Sequence, residues 1–306
     1  MRVAIIGRSE ILYEASLQLW AAGHEIVCIL TAKEAPEYTR TAADFRELAD
    51  SWQIPFAQGG RIAKHADFLR AAQADIAVSI NFTGVVPQSV IDLFPLGILN
   101  AHGGDLPRYR GNACQAWAIL NGEDRIGLCI HRMIGDELDS GDIIARDYFS
   151  IDQTTKVTKV WEWLHKRIPE LFLEAVNKLS IDPGYIIEAQ SKKQEDAHRC
   201  YPRKPEDGHI DWRQSALNVL RLINASNKPY AGAFCDFEGT PFIIWDAEIV
   251  GEFENFSAVP GQVTKIGDGF IDVACVESKI RILLAECGGT VDVPTYWIKS
   301  IRKRLV

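Results

Sequence analysis

Several features that mark particular protein classes are missing from this sequence of 306 residues. No apolar run approaches the roughly 20 residues that a membrane-spanning helix needs. Residues 3–7 at the amino terminus resemble a short strand and not a secretion signal. The seven cysteines are never spaced as C-x-x-C, so neither a disulfide framework nor a zinc knuckle is indicated. We therefore expect a cytoplasmic protein with reduced cysteines and no membrane partner.

Basic charge and phosphate-binding motifs are also scarce. The formal net charge is −8, which disfavours a protein whose main task is to cover nucleic acid. After the first strand the chain reads Gly7-Arg-Ser-Glu where a dinucleotide-binding protein would carry G-x-G-x-x-G. The Walker sequence is absent as well. These absences argue against a nicotinamide or flavin dinucleotide cofactor and against nucleoside triphosphate hydrolysis.

The first hundred residues alternate apolar runs of strand length with amphipathic stretches of helix length. This pattern predicts an α/β fold with a doubly wound, mostly parallel, Rossmann-like sheet, whose ligands bind at the carboxyl ends of its strands. The longest helical pattern covers residues 155–179, and we expect Pro169 to kink or split it. Short strands between turn residues follow after residue 230 and predict a smaller carboxy-terminal β-barrel that is OB-like. We predict a catalytic domain at 1–190, a linker at 191–204 and the barrel domain at 205–306.

Three polar residues lie where this fold binds its ligands. Asn100 and His102 are two positions apart as the chain leaves a strand, so their side chains point the same way. Asp139 sits in a turn before a later strand. An amide donor, an imidazole and a carboxylate suit acyl transfer to an amine, because the amine sheds protons while the carbonyl oxygen gains negative charge. On spacing alone, a turn role for Asn100 and Asp139 and an ordinary role for His102 stay open.

The segments around these residues carry a resemblance to a known family. Asn100-x-His102, the run Leu106-Pro-Arg-Tyr-Arg-Gly111 and the run Leu138-Asp-Ser-Gly-Asp142 resemble the signature of the folate-dependent formyltransferases. That family includes methionyl-tRNA formyltransferase and the nucleotide-sugar N-formyltransferases. Pro202–Trp212, Pro229–Phe234 and Pro260–Val263 are similar to the junction and carboxy-terminal barrel of its longer members. The resemblance covers nearly the whole chain.

The resemblance implies a formyl donor, N10-formyltetrahydrofolate, and no metal. By position, His102 would take a proton from the attacking amine, Asn100 would stabilise the oxyanion, and Asp139 would orient His102 and favour its charged form. The pterin would lie against the backbone of two loops, at residues 82–87 and 133–139. The donor-binding residues implied in these loops are Phe82, Thr83, Gly84, Val85, Val86, Met133, Asp136 and Leu138.

The molecule that accepts the formyl group is less well defined by the resemblance. In the transfer-RNA formyltransferases a basic loop follows the second strand, whereas residues 32–40 here hold Lys33 and Arg40 against Glu34 and Glu37. This balance, with the net charge of −8, favours a small anionic acceptor over tRNA. The resemblance then implies an amino-deoxy-sugar linked to a nucleoside diphosphate, a precursor of surface glycans such as lipopolysaccharide O-antigen. Candidate acceptor ligands are Asp105, Arg108, Arg110, Tyr201, Arg203, Lys204 and Tyr230. Asp105 departs from the family's usual Ser-Leu-Leu-Pro and either caps a turn or grips the acceptor.

Alternative readings also stay open. The nearest is methionyl-tRNA formyltransferase, followed by a formyltetrahydrofolate hydrolase and a non-catalytic folate-binding protein. For the hydrolase a second domain would be superfluous, and a binding protein need not keep Asn100, His102 and Asp139 together. We expect a small-molecule acceptor and a folate donor as partners and no nucleic acid, and a homodimer is one open assembly.

Overall fold

The computed structural model describes residues 1–36, 38–251 and 254–306, and these form two compact units. The first unit comprises residues 1–111, 127–149 and 162–200, and the second comprises residues 112–126, 150–161 and 201–306. Two segments of the predicted catalytic domain, residues 112–126 and 150–161, thus group with the second unit, which the sequence pattern did not indicate. Compact units are defined by contacts and domains by independent folding, so the predicted domain boundaries stay a prediction.

A seven-stranded sheet forms the centre of the first unit. The strands of this unit are β1 (Arg2–Gly7), β2 (Glu25–Thr31), β3 (Phe56–Gln58), β4 (Ile76–Ile80), β5 (Ile98–His102), β6 (Tyr109–Gly111), β7 (Arg125–Arg132), β8 (Ile143–Ser150) and β9 (His198–Cys200). The order in the large sheet is β3-β2-β1-β4-β5-β7-β8. The pairs from β3 to β5 are parallel, and β7 runs antiparallel to β5. The predicted doubly wound α/β sheet is confirmed, and its apolar strands are buried as parallel sheets require.

Seven α-helices connect the strands of the two units in the described ranges. They are α1 (Glu10–Ala21), α2 (Ala42–Trp52), α3 (Ala66–Ala72), α4 (Gln88–Ile91), α5 (Cys114–Asn121), α6 (Val157–Ile181) and α7 (Ala216–Ala225). Helix α6 continues through Pro169, so of the two expected effects of this proline the split does not occur. The missing hydrogen bond at proline is tolerated because an apolar stripe that includes Leu164, Ile168 and Phe172 is buried along the helix.

An antiparallel sheet forms the core of the second unit. Its strands are β10 (Ala233–Phe237), β11 (Thr240–Ile249), β12 (Val263–Ile266), β13 (Ile271–Ala274), β14 (Lys279–Cys287) and β15 (Thr290–Asp292). The order is β10-β11-β14-β13-β12, and β15 pairs with β14. The carboxy-terminal segment hydrogen-bonds to both outer strands, with Val306 on Asp236 of β10 and Lys303 on Val263 of β12. The sheet edges are therefore bridged, as in a small barrel.

Segments from the middle of the chain complete the second unit. Helix α5 packs against α7, and Asn224 of α7 donates a side-chain hydrogen bond to the carbonyl of Gln153 over 2.9 Å. The Lys156 ammonium lies 2.5 Å from the Asp246 carboxylate of β11. These contacts explain why residues 112–126 and 150–161 group with the barrel strands.

The predicted linker is also structured in part. Strand β9 lies within residues 191–204 and pairs in parallel with β6 of the first unit, with Tyr109 opposite His198 and Gly111 opposite Cys200. Across the described ranges, no helix is both long and apolar enough to span a membrane. None of the seven cysteines, all of which lie in the described ranges, forms a disulfide, and six of them are buried.

Candidate active site

Strand β5 places the first two candidate residues at the carboxyl end of the central sheet. Asn100 and His102 occupy alternate positions of β5 and therefore point to one face. On its antiparallel neighbour β7, His131 lies opposite Asn100 and Cys129 lies opposite His102. The register thus brings a second imidazole beside the pair that the sequence indicated.

The three predicted catalytic residues converge through that second imidazole. Asp139 Oδ2 lies 3.5 Å from His102 Nδ1, and the two side chains are 11% and 8% exposed. Asp139 Oδ1 lies 3.6 Å from His131 Nε2, which is 3.3 Å from the Asn100 amide nitrogen. We call Asn100, His102, His131 and Asp139 the His102 site.

The hydrogen bonds of His102 define which ring nitrogen carries the proton. Nε2 lies 2.6 Å from the carbonyl oxygen of Tyr109, which can only accept, so Nε2 is protonated. In the neutral ring Nδ1, the atom facing Asp139, is then the nitrogen that accepts a proton. Burial lowers the pKa of His102, while the Asp139 carboxylate opposes this shift. The resting ring is therefore neutral near pH 7, with its basic nitrogen beside a carboxylate.

The hydrogen bonds of His131 likewise define which of its ring nitrogens carries the proton, and through the other nitrogen the ring orients Asn100. Its Nδ1 lies 2.9 Å from the carbonyl oxygen of Arg132 and must donate to it. In the neutral ring Nε2 is then an acceptor for one N–H of Asn100. The Asn100 amide keeps a second N–H that is directed by this contact and can bind a developing negative charge.

Asp139 is held ionised and in a constrained backbone conformation. Burial raises the pKa of Asp139, but electrostatic interaction with the His102 and His131 imidazoles and the hydrogen bond from the Gly111 amide outweigh burial and lower it. The Gly111 amide donates to Oδ2 over 2.9 Å. The φ angle of Asp139 is +49°, in the left-handed region that few non-glycine residues adopt. The carboxylate is therefore fixed in place and charged.

Gln190 holds this turn from behind. Its side-chain amide donates to the carbonyls of Asp139 over 3.0 Å and Gly141 over 2.5 Å. Its oxygen accepts from the Arg110 guanidinium over 3.0 Å, and the residue is 4% exposed. Gln190 therefore links Arg110 to the turn that carries Asp139.

The two loops expected to bind the donor lie side by side. The Gly135 amide donates to the Gln88 side chain over 2.9 Å, and a Cβ on Gly135 would meet the Gln88 nitrogen at 2.4 Å. Only glycine permits this approach, so the second loop rests on the start of α4, where the first loop ends. Val85 and Leu138 are exposed by 70% and 44%. The loops therefore present backbone and apolar surface together.

The other implied donor-binding residues have varied surroundings. Val86 is buried in the core of the first unit, and Phe82 and Met133 pack against that core, so these residues offer mainly backbone. The Thr83 hydroxyl donates to the Gly60 carbonyl over 3.2 Å. Gly84 and Asp136 have positive φ angles of 99° and 62°.

Three candidate acceptor residues follow β5 and serve structural contacts. Asp105 accepts a hydrogen bond from the Tyr148 hydroxyl over 3.2 Å and lies 4.0 Å from the Arg146 guanidinium. Arg108 lies over the ring of Tyr109, 5.2 Å from its centroid, and Arg110 binds Gln190. These contacts fix the loop that supplies the Tyr109 carbonyl to His102.

The remaining candidates belong to the second unit. Tyr201 is exposed, and its carbonyl accepts from the Trp117 indole over 2.9 Å. Arg203, Lys204 and Tyr230 line one cavity of about 100 Å³. The structure therefore brings the last three together and leaves Tyr201 outside that cavity.

Sequence reasoning missed His131 and Gln190. The position of His131 opposite Asn100 depends on strand register, which the sequence does not display. Gln190 stood at the end of the predicted catalytic domain without a motif around it. In the described ranges we find no cluster of three or more histidine, cysteine, aspartate or glutamate side chains that could hold a metal ion.

Comparison with known proteins gives two family matches. Residues 1–176 match the family model described as formyl transferase, and residues 203–299 match the model for the formyl transferase carboxy-terminal domain. A methionyl-tRNA formyltransferase from Caldanaerobacter subterraneus subsp. tengcongensis is 29% identical over 290 residues, which span 92% of this chain and 91% of the relative.

Two solved structures are similar in fold. The N-formyltransferase from Helicobacter canadensis, in complex with folinic acid and dTDP-3-aminofucose, matches with a TM-score of 0.69 at 15% identity, over 92% of this chain and 98% of that one. HypX from Aquifex aeolicus matches with a TM-score of 0.61 at 18% identity over 98% of this chain. The present chain spans about half of HypX, 49% of its length.

Proposed function

Because this chain belongs to the formyl transferase family, we propose that it transfers the formyl group of N10-formyltetrahydrofolate to the amine of a nucleoside-diphosphate-linked amino-deoxy-sugar. Enzymes of this family take the formyl group from that donor. The observation that carries the proposal is the convergence of Asn100, His102 and Asp139 at the end of β5, with Nδ1 of His102 3.5 Å from the Asp139 carboxylate.

The paired loops fit the donor. Exposed Val85 and Leu138 supply apolar surface for a flat ring, and the backbone around Gly84 supplies hydrogen-bonding groups without a side chain in the way. A Cβ at Gly84 would meet nothing within 4 Å, so this backbone is open to a ligand. The donor, when bound, supplies an activated formyl carbon to the site.

His102 and Asn100 divide the chemistry between them. His102 takes a proton from the attacking amine at Nδ1 and returns it to the nitrogen that leaves the formyl carbon. The Asp139 carboxylate stabilises the imidazolium while His102 holds that proton, because opposite charges lie close in a buried setting. Asn100, oriented by His131, donates its free N–H to the oxygen on which negative charge develops.

The loop after β2 supports a small anionic acceptor. The Arg40 guanidinium lies 3.1 Å from the Asp44 carboxylate and 4.4 Å from the ring centroid of Tyr13. Its charge is thus already balanced, and Lys33 is the other cation of that loop. Glu37 lies outside the described residues. A loop with this composition is a poor ligand for the phosphates of a transfer RNA.

Methionyl-tRNA is the second candidate acceptor. The observation in its favour is the 29% identity to a methionyl-tRNA formyltransferase over 92% of this chain. If methionyl-tRNA is the acceptor, cations outside residues 32–40 must bind the phosphates of the tRNA.

A formyl-transfer screen separates the two candidates. The purified chain is incubated with N10-formyltetrahydrofolate and either a panel of nucleotide-linked amino-sugars or charged initiator tRNA, and the product is detected by mass. His102→Ala serves as the matched control of low turnover. We expect one amino-sugar to be formylated much faster than methionyl-tRNA, and an equal or faster rate with methionyl-tRNA would overturn the sugar assignment.

A further inference from the structure

A small cavity in the second unit gathers positive charge that takes no part in the proton transfer proposed for His102. It has a volume of about 100 Å³ and is lined by Arg203, Lys204, Ser226, Tyr230 and Gly232 among others, and we call it the Arg203 cavity. Its lining contains two cations and no carboxylate side chain. A phosphate group needs roughly the space of a few water molecules, about 30 Å³ each, so the cavity has the right size.

Arg203 is held in this cavity by neutral oxygens. One terminal nitrogen donates to the Asp207 carbonyl and to the Ser226 hydroxyl, each over 3.0 Å. The other lies 3.4 Å from the carbonyl of Ala225. A guanidinium has five N–H donors, so donors remain for a further acceptor.

The charge of Arg203 has no close partner of opposite sign. Over the ranges that the structure describes, no carboxylate lies within 4.0 Å of its guanidinium. The Asp207 carboxylate acts on Arg203 through its charge, but its hydrogen bond comes from the Lys204 backbone amide over 2.7 Å. Burial lowers the pKa of Arg203, and Asp207 and Tyr230 only partly oppose this shift. A partly buried cation without a counter-charge is costly, and a bound anion would relieve that cost.

The other walls suit an oxyanion. Burial raises the pKa of the Tyr230 phenol, so this hydroxyl keeps its proton and can donate at neutral pH. Gly208 and Gly232 line the cavity without side chains, and a Cβ on Gly208 would lie 2.7 Å from the Gly232 carbonyl. The sequence segments at residues 202–212 and 229–234 thus meet at this cavity.

We propose that the Arg203 cavity is a binding site for a phosphate group, with Arg203 and Lys204 as charged donors. Bidentate binding by arginine suits phosphate geometry, and the lysine adds a point charge. The phosphate comes either from the diphosphate of the acceptor, a reading that rests on the proposed function, or from free inorganic phosphate, a reading that does not.

Calorimetric titration of the full chain at low salt, without folate, tests the site. The probes are inorganic phosphate, pyrophosphate and dTDP, and the variants are Arg203→Gln and Lys204→Gln. Arg213→Gln is the matched control, because Arg213 is an exposed arginine of the same unit that pairs with Asp211. We expect Arg203→Gln to weaken phosphate binding by about 10- to 100-fold, the range for hydrogen bonds to charged groups, and Arg213→Gln to leave it unchanged.

The titrations distinguish the two sources of the phosphate, and the second variant keeps the test valid if the first does not fold. Tighter binding of dTDP than of inorganic phosphate, lost in both cavity variants, supports the diphosphate of an acceptor, while equal binding supports free phosphate. If Arg203→Gln fails to fold, the exposed Lys204 side chain still allows the test, and Lys204→Gln should weaken binding several-fold. Undiminished binding in Lys204→Gln and Arg203→Gln, or no binding to the wild type, would overturn the site even if amino-sugars are formylated.

Discussion

The His102 site and the Arg203 cavity differ in the groups that surround their charged side chains. At the His102 site the Asp139 carboxylate is met by the Gly111 amide and by two imidazoles. In the Arg203 cavity a guanidinium is met only by carbonyl and hydroxyl oxygens. The first arrangement surrounds its carboxylate with an amide and two imidazoles of this chain, beside which His102 can take up a proton. The second leaves a charge to be balanced by whatever binds.

The comparison predicts that changes at the His102 site act on turnover. Of these, His102→Ala should have the largest effect, because the ring acts on protons and charge that move only during the reaction. We expect turnover to fall by at least about 10²-fold, with acceptor KM changing less. Steady-state kinetics with saturating donor measures both constants.

His102→Gln sharpens that result. Glutamine keeps a hydrogen-bond donor but cannot act as a base near neutral pH. Partial recovery relative to His102→Ala would assign the residue mainly to stabilising the oxyanion, and no recovery would favour proton transfer. Near wild-type turnover in both variants would remove His102 from the mechanism.

Asp139→Asn should have the next largest effect. Asparagine preserves the shape of the side chain but loses the charge that stabilises a protonated His102. We expect turnover to fall by about 10-fold or more, while donor affinity, measured by fluorescence titration with a folate analogue, stays close to that of the wild type. A loss restricted to donor affinity would make Asp139 a binding-loop residue only.

Gln190→Leu tests whether the turn must be held from behind. The change removes the hydrogen bonds to the Asp139 and Gly141 carbonyls at nearly constant volume. We expect the free energy of unfolding to fall by about 1–3 kcal/mol, because buried acceptors lose their donors. Turnover should fall while acceptor KM holds. Gln18→Leu on α1 is the control, because the Gln18 side chain donates only to Glu14 at the surface among its recorded hydrogen bonds. Equal kinetics in the two variants would limit Gln190 to a structural role.

The smallest effect concerns stability and pH. The pKa of His102 is lowered in the folded chain, so its contribution to stability is present above the unfolded value of 6.5 and is lost as the pH falls below it. Urea unfolding of the wild type and His102→Gln at several pH values measures this contribution. The variant should lose less stability on acidification, by at most about 1.4 kcal/mol per pH unit. An equal loss in both proteins would mean that burial does not shift this histidine.

The features that could be predicted are those that depend on residues close together in the sequence. The alternation of strands and helices in the first unit follows from periodicity, and Asn100 and His102 share a face because they lie two positions apart on one strand. The role of His131 depends on the β5–β7 register, and Gln190 reaches Asp139 from about 50 residues away in the chain. Such long-range pairing leaves no local pattern.

The departure at Asp105 shows the same limit. Its carboxylate is positioned by Tyr148 and Arg146 of β8, so the structure gives it a part in fixing the loop after β5. The sequence offered a turn cap and an acceptor ligand as alternatives and could not indicate either partner, because strand β8 is brought beside the loop only by the folded sheet.

The most direct test of the account is the pH dependence of kcat/KM in the wild type and Asp139→Asn. The proposed mechanism requires a neutral His102, so kcat/KM should fall at acidic pH as the ring becomes protonated. Because Asp139 raises the pKa of His102 against the effect of burial, its neutralisation should shift that acidic limb to lower pH. An acidic limb at the same pH in both proteins, or one that moves to higher pH, would contradict the coupling of His102 and Asp139 on which the proposed chemistry depends.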